Sequence, residues 1–335
     1  MDETLPTEQP AWRLWIVSPL LRDTESFLHL RNETAAACSA AGIAAQIHHI
    51  VVDDSAGIDT EVRQLDALDD VSVLTPPFNL GHQRALVYGL RTLATTVDVA
   101  DIVVTMDSDG EDKGVDVPRL VRAVSWPGSP LAIARRTQRT ESLVFRLMYP
   151  CFRLLFRLFT GLTVRSGNFA AQYGASLTAT INHPSFDLCY SSTLIALPRP
   201  TALVPCARGR RFAGQSRMNG HSLIAHGIRM MLPFSERIAV RMLVLSTLSF
   251  GALGASLILV WLRLLNGVPL TTIVGILIAL LAVAMASFTA FMVLFSGFSV
   301  APIAASDERP WMSDLPAHAL SITEQHAVTS SRPVQ

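Results

Sequence analysis

Short apolar runs alternate with longer amphipathic stretches along the first half of the chain. Residues 12–17 form an apolar run closed by Ser18-Pro19, which predicts a buried first strand. Residues 25–41, stopped by Gly42, predict a helix. A second apolar run over 45–52 ends at Asp53-Asp54-Ser55, a third covers Val71–Leu74, and a fourth over 101–106 runs into Asp107-Ser108-Asp109. Between the last two, Asn79-Leu80-Gly81-His82 opens a helix reaching Leu93. A helix over 113–124, a strand over 131–134 and a helix over 143–159 complete the pattern. Strands alternating with helices predict an α/β domain with a mostly parallel, twisted, Rossmann-like sheet covered on both faces. Ligands of such sheets bind beyond the carboxyl ends of the strands, and two of those ends carry paired aspartates.

The pattern then changes. Residues 243–262 and 273–298 carry no charge, and each stretch is long enough to cross a hydrocarbon core of roughly 30 Å. They predict a two-helix transmembrane hairpin. Arg229, Arg237 and Arg241 precede the first span and only Arg263 lies in the connection, so the positive-inside rule places the catalytic side and the C-terminus in the cytoplasm. The expected organisation is a lead over 1–10, a catalytic domain over 11–218, a juxtamembrane amphipathic segment over 219–241, membrane helices within 242–299 and a disordered tail over 300–335.

Composition narrows the function classes. Hydrophobic residues make up 50 % and charged residues 16 %, with the apolar excess towards the C-terminus. A formal net charge of zero argues against a nucleic-acid binder, which needs many cations opposite phosphates. Lys113 is the sole lysine, and every other side-chain cation is arginine, whose planar fork suits phosphate. Cys38, Cys151, Cys189 and Cys206 are widely spaced and fit a reducing compartment. The acidic opening Met1-Asp2-Glu3 leads into no apolar signal core, so no secretory signal is expected.

Asp107 and Asp109, one residue apart at the end of a buried strand, suit a hard divalent ion bridging diphosphate oxygens. A solvated turn is the alternative for any isolated Asp-x-Asp. Asp53-Asp54-Ser55 fits a nucleotide, but Ser18-Pro19-Leu20-Leu21 stands where a G-x-G-x-x-G fingerprint would be needed, which excludes a nicotinamide cofactor. The basic, glycine-punctuated stretch 208–217 suits either phosphate or anionic lipid, as does the Arg135, Arg136, Arg139 cluster. His48, His49 and His82 have no partner at metal-ligand spacing, and no catalytic histidine is assigned.

Taken in order, these motifs resemble the family 2 glycosyltransferases of the GT-A fold, in the polyprenyl-phosphate branch that includes dolichol-phosphate mannose synthase and bacterial undecaprenyl-phosphate glucosyltransferases. Val51-Val52-Asp53-Asp54-Ser55 resembles the V-D-D-x-S stretch, Asn79-Leu80-Gly81-His82-Gln83-Arg84-Ala85 the N-x-G-x-x-x-A helix start, and Met106–Asp112 the M-D-x-D-x-Q-D metal segment. Arg136 and Arg139 resemble an R-x-x-R pair near the acceptor phosphate, and 211–217 an R-x-x-G-x-S-K loop over the donor. The resemblance implies Asp107, Asp109 and Glu111 as ligands of Mg2+ or Mn2+, and Asp107, Asp109, Arg136 and Arg139 as the catalytic set. It implies Pro19, Asp53, Asp54, Asn79, Gly81, Asp107, Arg211, Ser216 and Arg217 as donor contacts.

The partners it implies are a nucleotide-sugar donor (UDP-hexose favoured, GDP-mannose open), a polyprenyl phosphate acceptor and membrane lipid. The expected reaction is an inverting hexosyl transfer at the cytoplasmic face of a bacterial inner membrane, with homo-oligomerisation through the spans open. Three positions depart from the pattern: Arg22-Asp23 replaces Asn-Glu, Glu111 replaces glutamine, and Ser166-Gly167-Asn168-Phe169 replaces a D-x-G-D-F segment on the acceptor side. Two other readings stay open, transfer to another lipid or glycan and a catalytically silent nucleotide-sugar-binding membrane partner.

Overall fold

The computed structural model describes residues 12–125, 128–137, 143–164, 167–212, 220–261, 267 and 269–300. These form two compact units: residues up to Tyr149 with Val164–Pro233, and Pro150–Thr163 with the residues from Phe234 onward.

The first unit is built on strands β1 (Arg13–Leu20), β2 (Gln46–Asp53), β3 (Val71–Leu74), β4 (Ile102–Thr105), β5 (Leu131–Arg136), β6 (Ala170–Tyr173) and β7 (Thr201–Cys206). They make one seven-stranded sheet in the order β3-β2-β1-β4-β6-β5-β7. Pairing is parallel except at β6, which runs antiparallel to both β4 and β5. The expected mostly parallel α/β sheet is therefore present with one reversed strand. That strand, Ala-Ala-Gln-Tyr, has too little β-branched or alternating character to announce itself.

Along β1 the side chains divide with a period of two: Leu14 and Ile16 join the core on one face, Trp15 and Val17 the core on the other. Both faces are covered, so the strand reads in sequence as an unbroken apolar run. Helices α1 (Thr24–Ala40) and α3 (Val117–Ala123) cover one face. The helix expected over 113–124 begins instead with a 3-10 turn at Gly114–Asp116. On the other face lies α2 (His82–Leu93), where a β-carbon at Gly89 would come 2.8 Å from Val17 Cγ1 and 2.9 Å from Val52 Cγ2. Glycine costs helix propensity of about 1 kcal/mol there, and what it permits is close seating of α2 on the sheet.

Helix α4 (Leu143–Thr160) crosses from the first unit to the second at Pro150. Helices α5 (Gly174–Ile181), α6 (Tyr190–Ala196) and α7 (Gly220–Met231) complete the first unit. The second unit contains α8 (Ser235–Trp261) and α9 (Leu270–Val300). Ser246 in the middle of α8 donates to the carbonyl of Ala284 in the middle of α9 at 3.2 Å, so the two helices run antiparallel as a hairpin. Only 11 % of the most apolar window of each is buried, although a helix belonging to a soluble core would bury its leucines. The lead over 1–10 and the tail beyond residue 300 lie outside the described residues.

Candidate active site

The carboxyl ends of β1, β2 and β4 lie side by side because β1 separates the other two. Two backbone bonds continue the strands into the loops: Asp54 N donates to Leu20 O at 2.8 Å, and Met106 N to Val17 O at 3.2 Å. Ser108 Oγ then donates to the Pro19 carbonyl at 2.9 Å, tying the loop after β4 to the end of β1.

Each aspartate after β2 has a distinct job. Asp53 accepts from the backbone N–H groups of Ser55 at 2.9 Å and Gly57 at 3.1 Å, closing its own turn. Asp54, buried, accepts from Leu80 N at 2.6 Å and Gly81 N at 3.1 Å, while Asn79 Nδ2 donates to the Asp54 carbonyl at 2.6 Å. Asp54 thus orients the Asn79–Gly81 corner, where Gly81 has φ +74° and α2 begins. Burial raises the Asp54 pKa, with the two backbone bonds opposing.

After β4, one oxygen from each of Asp107, Asp109 and Glu111 falls within 4.8 Å of the others. The segment turns at Gly110, φ +88°, where a β-carbon would stand 2.6 Å from the Phe212 ring. Of the arginines singled out in the sequence, Arg211 and Arg136 lie beside this cluster. Arg211 lies 2.8 Å from Asp109 Oδ2 and 3.2 Å from Glu111 Oε1. Arg136, at the end of β5, reaches Asp112 Oδ1 at 3.3 Å and Glu111 Oε2 at 3.9 Å. Arg208 also pairs with Glu111. The loop carrying Arg208 and Arg211 is held by Gly209 N donating to Glu111 O at 2.8 Å and Phe212 N to Asp109 O at 3.1 Å. Ser216 and Arg217 of that loop, and Arg139, lie outside the described residues.

Two contacts were not legible in the sequence. His82 Nε2 stands 3.1 Å from Asp107 Oδ1, and Asn168 Nδ2 stands 2.6 Å from the same oxygen and 2.7 Å from His82 Nε2. The signal for His82 was its place in the first turn of a helix aimed at the strand ends. Asn168 lies far off in sequence, and only β6, antiparallel to β4, brings it near. Asp112 was also passed over; buried, it accepts from Asp107 N at 3.0 Å.

The electrostatics follow from crowding. Burial raises Asp109 to about 6, reinforced by Asp107, against Arg211. Burial and Asp107 raise Asp112 to about 7, with Arg136 opposing. Burial also disfavours ionised Asp107, but His82, Arg136 and Asn168 outweigh it and hold this carboxyl well below the usual range. Burial would lower His82; the carboxylate of Asp107 overrides it and raises the imidazole to about 9. One carboxyl of the group is thus firmly ionised while its neighbours sit near neutrality, as expected where like charges share a site.

Residues 33–178 match glycosyl transferase family 2. The chain is 30 % identical over 173 residues to the undecaprenyl-phosphate 4-deoxy-4-formamido-L-arabinose transferase of Pectobacterium atrosepticum, covering 50 % of this chain and 48 % of that protein. It is 26 % identical over 227 residues to the protein of the same name from Pseudomonas fluorescens, covering 62 % and 61 % respectively. The chain therefore spans 48 % to 61 % of the length of these two curated relatives. A solved structure of glucosyl-3-phosphoglycerate synthase from Mycobacterium tuberculosis, in complex with Mn2+, UDP and glucosyl-3-phosphoglycerate, is similar at 17 % identity with a TM-score of 0.43, covering 68 % of this chain and 80 % of that one. The matched segment runs from α1 through the acidic turn to α5, so that strands β2 to β6 of the mixed sheet and the carboxylates at its edge lie within the part of the chain that is similar to glycosyl transferase family 2.

Proposed function

We propose that the protein is a divalent-metal-dependent glycosyltransferase that moves a sugar from a nucleoside-diphosphate sugar to a polyprenyl phosphate at a membrane face. The observation that carries the reading is the convergence of Asp107, Asp109 and Glu111 oxygens within 4.8 Å at the end of β4, with Arg136 and Arg211 on their rim. All three donors are carboxylate oxygens, which suits a hard ion such as Mg2+ or Mn2+ rather than a thiolate- or imidazole-seeking metal. When bound, such an ion neutralises charge on the departing diphosphate.

The chain's own residues supply the rest. Arg211 and Arg208 present guanidinium forks to the diphosphate, and Arg136 does so from the β5 side, where the acceptor phosphate would approach. Asp54 holds the Asn79–Gly81 corner, whose backbone flanks the nucleotide. Asn168 and His82 fix the orientation of Asp107. A phosphate monoester is already largely ionised near neutrality, its second pKa being about 6, so the attacking oxygen needs no strong general base. Positioning and electrostatic stabilisation then provide the catalysis, in a single inverting displacement.

The acceptor class is supported by the names of the curated relatives and by the two apolar helices, which read as membrane spans with the first unit on the cytoplasmic side of a bacterial inner membrane. A UDP-hexose is the favoured donor. The test is mass spectrometry on the full chain in detergent, supplied with a short polyprenyl phosphate, Mg2+ or Mn2+ and a panel of UDP- and GDP-sugars. A polyprenyl-phospho-sugar formed only with metal, and lost in Asp109→Asn, supports the reading. Donor binding without lipid product across the panel overturns the acceptor assignment and favours another acceptor or a silent nucleotide-sugar-binding protein.

A further inference from the structure

Asn168 is held at both ends. Its side-chain amide donates to Asp107 Oδ1, and its main-chain carbonyl accepts from Thr105 Oγ1 at 2.5 Å. Thr105 is the last residue of β4 and Asp107 follows two residues later, so the end of one strand grips a single residue through two side chains. Ladder pairing does not do this, since the register between β4 and β6 ends with Thr105 opposite Ala170, two residues short of Asn168. Continued by two residues, that register sets Asn168 opposite Asp107.

Donor chemistry gives the contacts behind Asn168 a direction. A carbonyl only accepts and a threonine hydroxyl has one proton, so that of Thr105 goes to Asn168. Tyr190 OH, 3.1 Å from Thr105 Oγ1, must therefore donate to it. Burial pushes this phenol up to about 12, so its proton stays in place near neutrality. Behind Tyr190 stands Gln172 of β6, whose Nε2 lies 3.5 Å from the phenol oxygen, at the outer limit of hydrogen bonding, and whose Oε1 accepts from Thr180 Oγ1 at 2.8 Å. Arg199 completes the line, donating to Thr180 Oγ1 at 3.0 Å, Gln172 Oε1 at 3.3 Å and Ser176 O at 3.2 Å. Thr105, Gln172, Thr180 and Tyr190 are each at most 1 % exposed, which leaves them to satisfy one another.

Arg199 is the odd member of the line. Among the described residues no carboxylate pairs with it, and its guanidinium donates to neutral oxygens instead. Burial lowers its pKa, yet a guanidinium keeps its charge. A cation at one end polarises the hydrogen bonds that follow it and strengthens them in the direction of the Asn168 carbonyl. We propose that Tyr190 and Thr105 are positioning residues for the carboxylate cluster: the directed hydrogen bonds from Arg199 fix the Asn168 peptide, and the Asn168 amide in turn fixes Asp107. The inference rests on reading Asp107 as a metal contact. An asparagine suits this place, because its Nδ2 donates to Asp107 where a carboxylate would repel it.

The test is a double-mutant cycle on the full chain in detergent, read by calorimetric binding of Mn2+ with UDP and, alongside it, by kcat/KM for transfer. Tyr190→Phe keeps the ring and removes the proton that Thr105 accepts. It should weaken Mn2+–UDP binding about three- to tenfold. In an Asn168→Ala background the same substitution should weaken binding no further, because the amide through which it acts is gone. Thr105→Val, which keeps the shape without the hydroxyl, should repeat the loss, and Thr105→Ser should bind as the parent does. Losses that add in the double variant, or a Tyr190→Phe protein that binds as the parent does, overturn the proposal. The metal reading then stands if Asp109→Asn still abolishes Mn2+ binding. Should Tyr190→Phe fail to fold, the Thr105 pair decides, and equal binding by the Val and Ser variants overturns the proposal. Mn2+ binding left intact by Asp109→Asn removes the metal reading and the proposal with it.

Discussion

The Asn168 side-chain amide stands 2.6 Å from Asp107 Oδ1 and donates to it, at the position where the acceptor-side motif departs from the family pattern. A hydrogen bond to a charged partner contributes about 1.5–3 kcal/mol, and this one orients the carboxylate proposed to contact metal. Asn168→Ala is expected to lower kcat/KM by about ten- to a hundredfold. Binding of Mn2+ with UDP, read by calorimetry, should weaken in parallel. Unchanged binding and turnover would show that Asp107 needs no help from this amide.

Gly209→Ala tests the arginine loop. A β-carbon at 209 would stand 2.1 Å from the Gly110 carbonyl and 3.2 Å from Lys113 Cγ, so the loop must lift away from the acidic turn. Lifting separates Arg211 from Asp109 and Glu111, which it now approaches at 2.8 and 3.2 Å. The expected result is a rise of about tenfold or more in the donor KM, with the melting temperature shifted by only a few degrees because no core residue moves. A variant with unchanged donor KM would remove Arg211 from the donor site.

These two cases mark what the sequence disclosed. Asp107, Asp109 and Glu111 were legible because all three lie in one turn after an apolar run, so local spacing decides their proximity. Arg136 and Arg211 could be placed only by resemblance, and the structure gives them acidic partners from that same turn. Asn168 and His82 are 86 residues apart, and they meet because β6 returns antiparallel beside β4. No period in a local window encodes that reversal. The two long apolar helices were legible for the opposite reason, since an uninterrupted apolar run of that length is itself the signal.

Asp101 should prove a stability hub. Its buried carboxylate accepts from Arg13 N at 2.8 Å, Arg13 Nε at 3.1 Å, Trp15 Nε1 at 2.9 Å and Asp98 N at 3.0 Å, joining the start of β4 to β1. Burial raises its pKa, but these donors outweigh burial and the net direction is down. Asp101→Ala strands the donors and is expected to lose about 3–5 kcal/mol by denaturant titration in detergent. A loss below about 1 kcal/mol would mean that water replaces the carboxylate.

His49 should make the first unit acid-sensitive. It lies on β2 with 2 % exposure, packs edge-on against Phe27, and neither ring nitrogen has a hydrogen-bond partner among the described residues. Burial pushes the imidazole down from 6.5 to about 4, Asp70 opposes this, and Arg31 and His48 add to it. The unfolded chain therefore binds a proton at a pH where the folded chain does not. Stability falls as pH drops below the ordinary value of 6.5 and levels off below about 4, where both states are protonated. Across that window the single group costs about 3 kcal/mol. Thermal melting in detergent should show a slope between these limits, and His49→Leu should flatten it whatever it does to the melting temperature at neutral pH. A slope unchanged in His49→Leu would move the acid sensitivity to the carboxylates of the site.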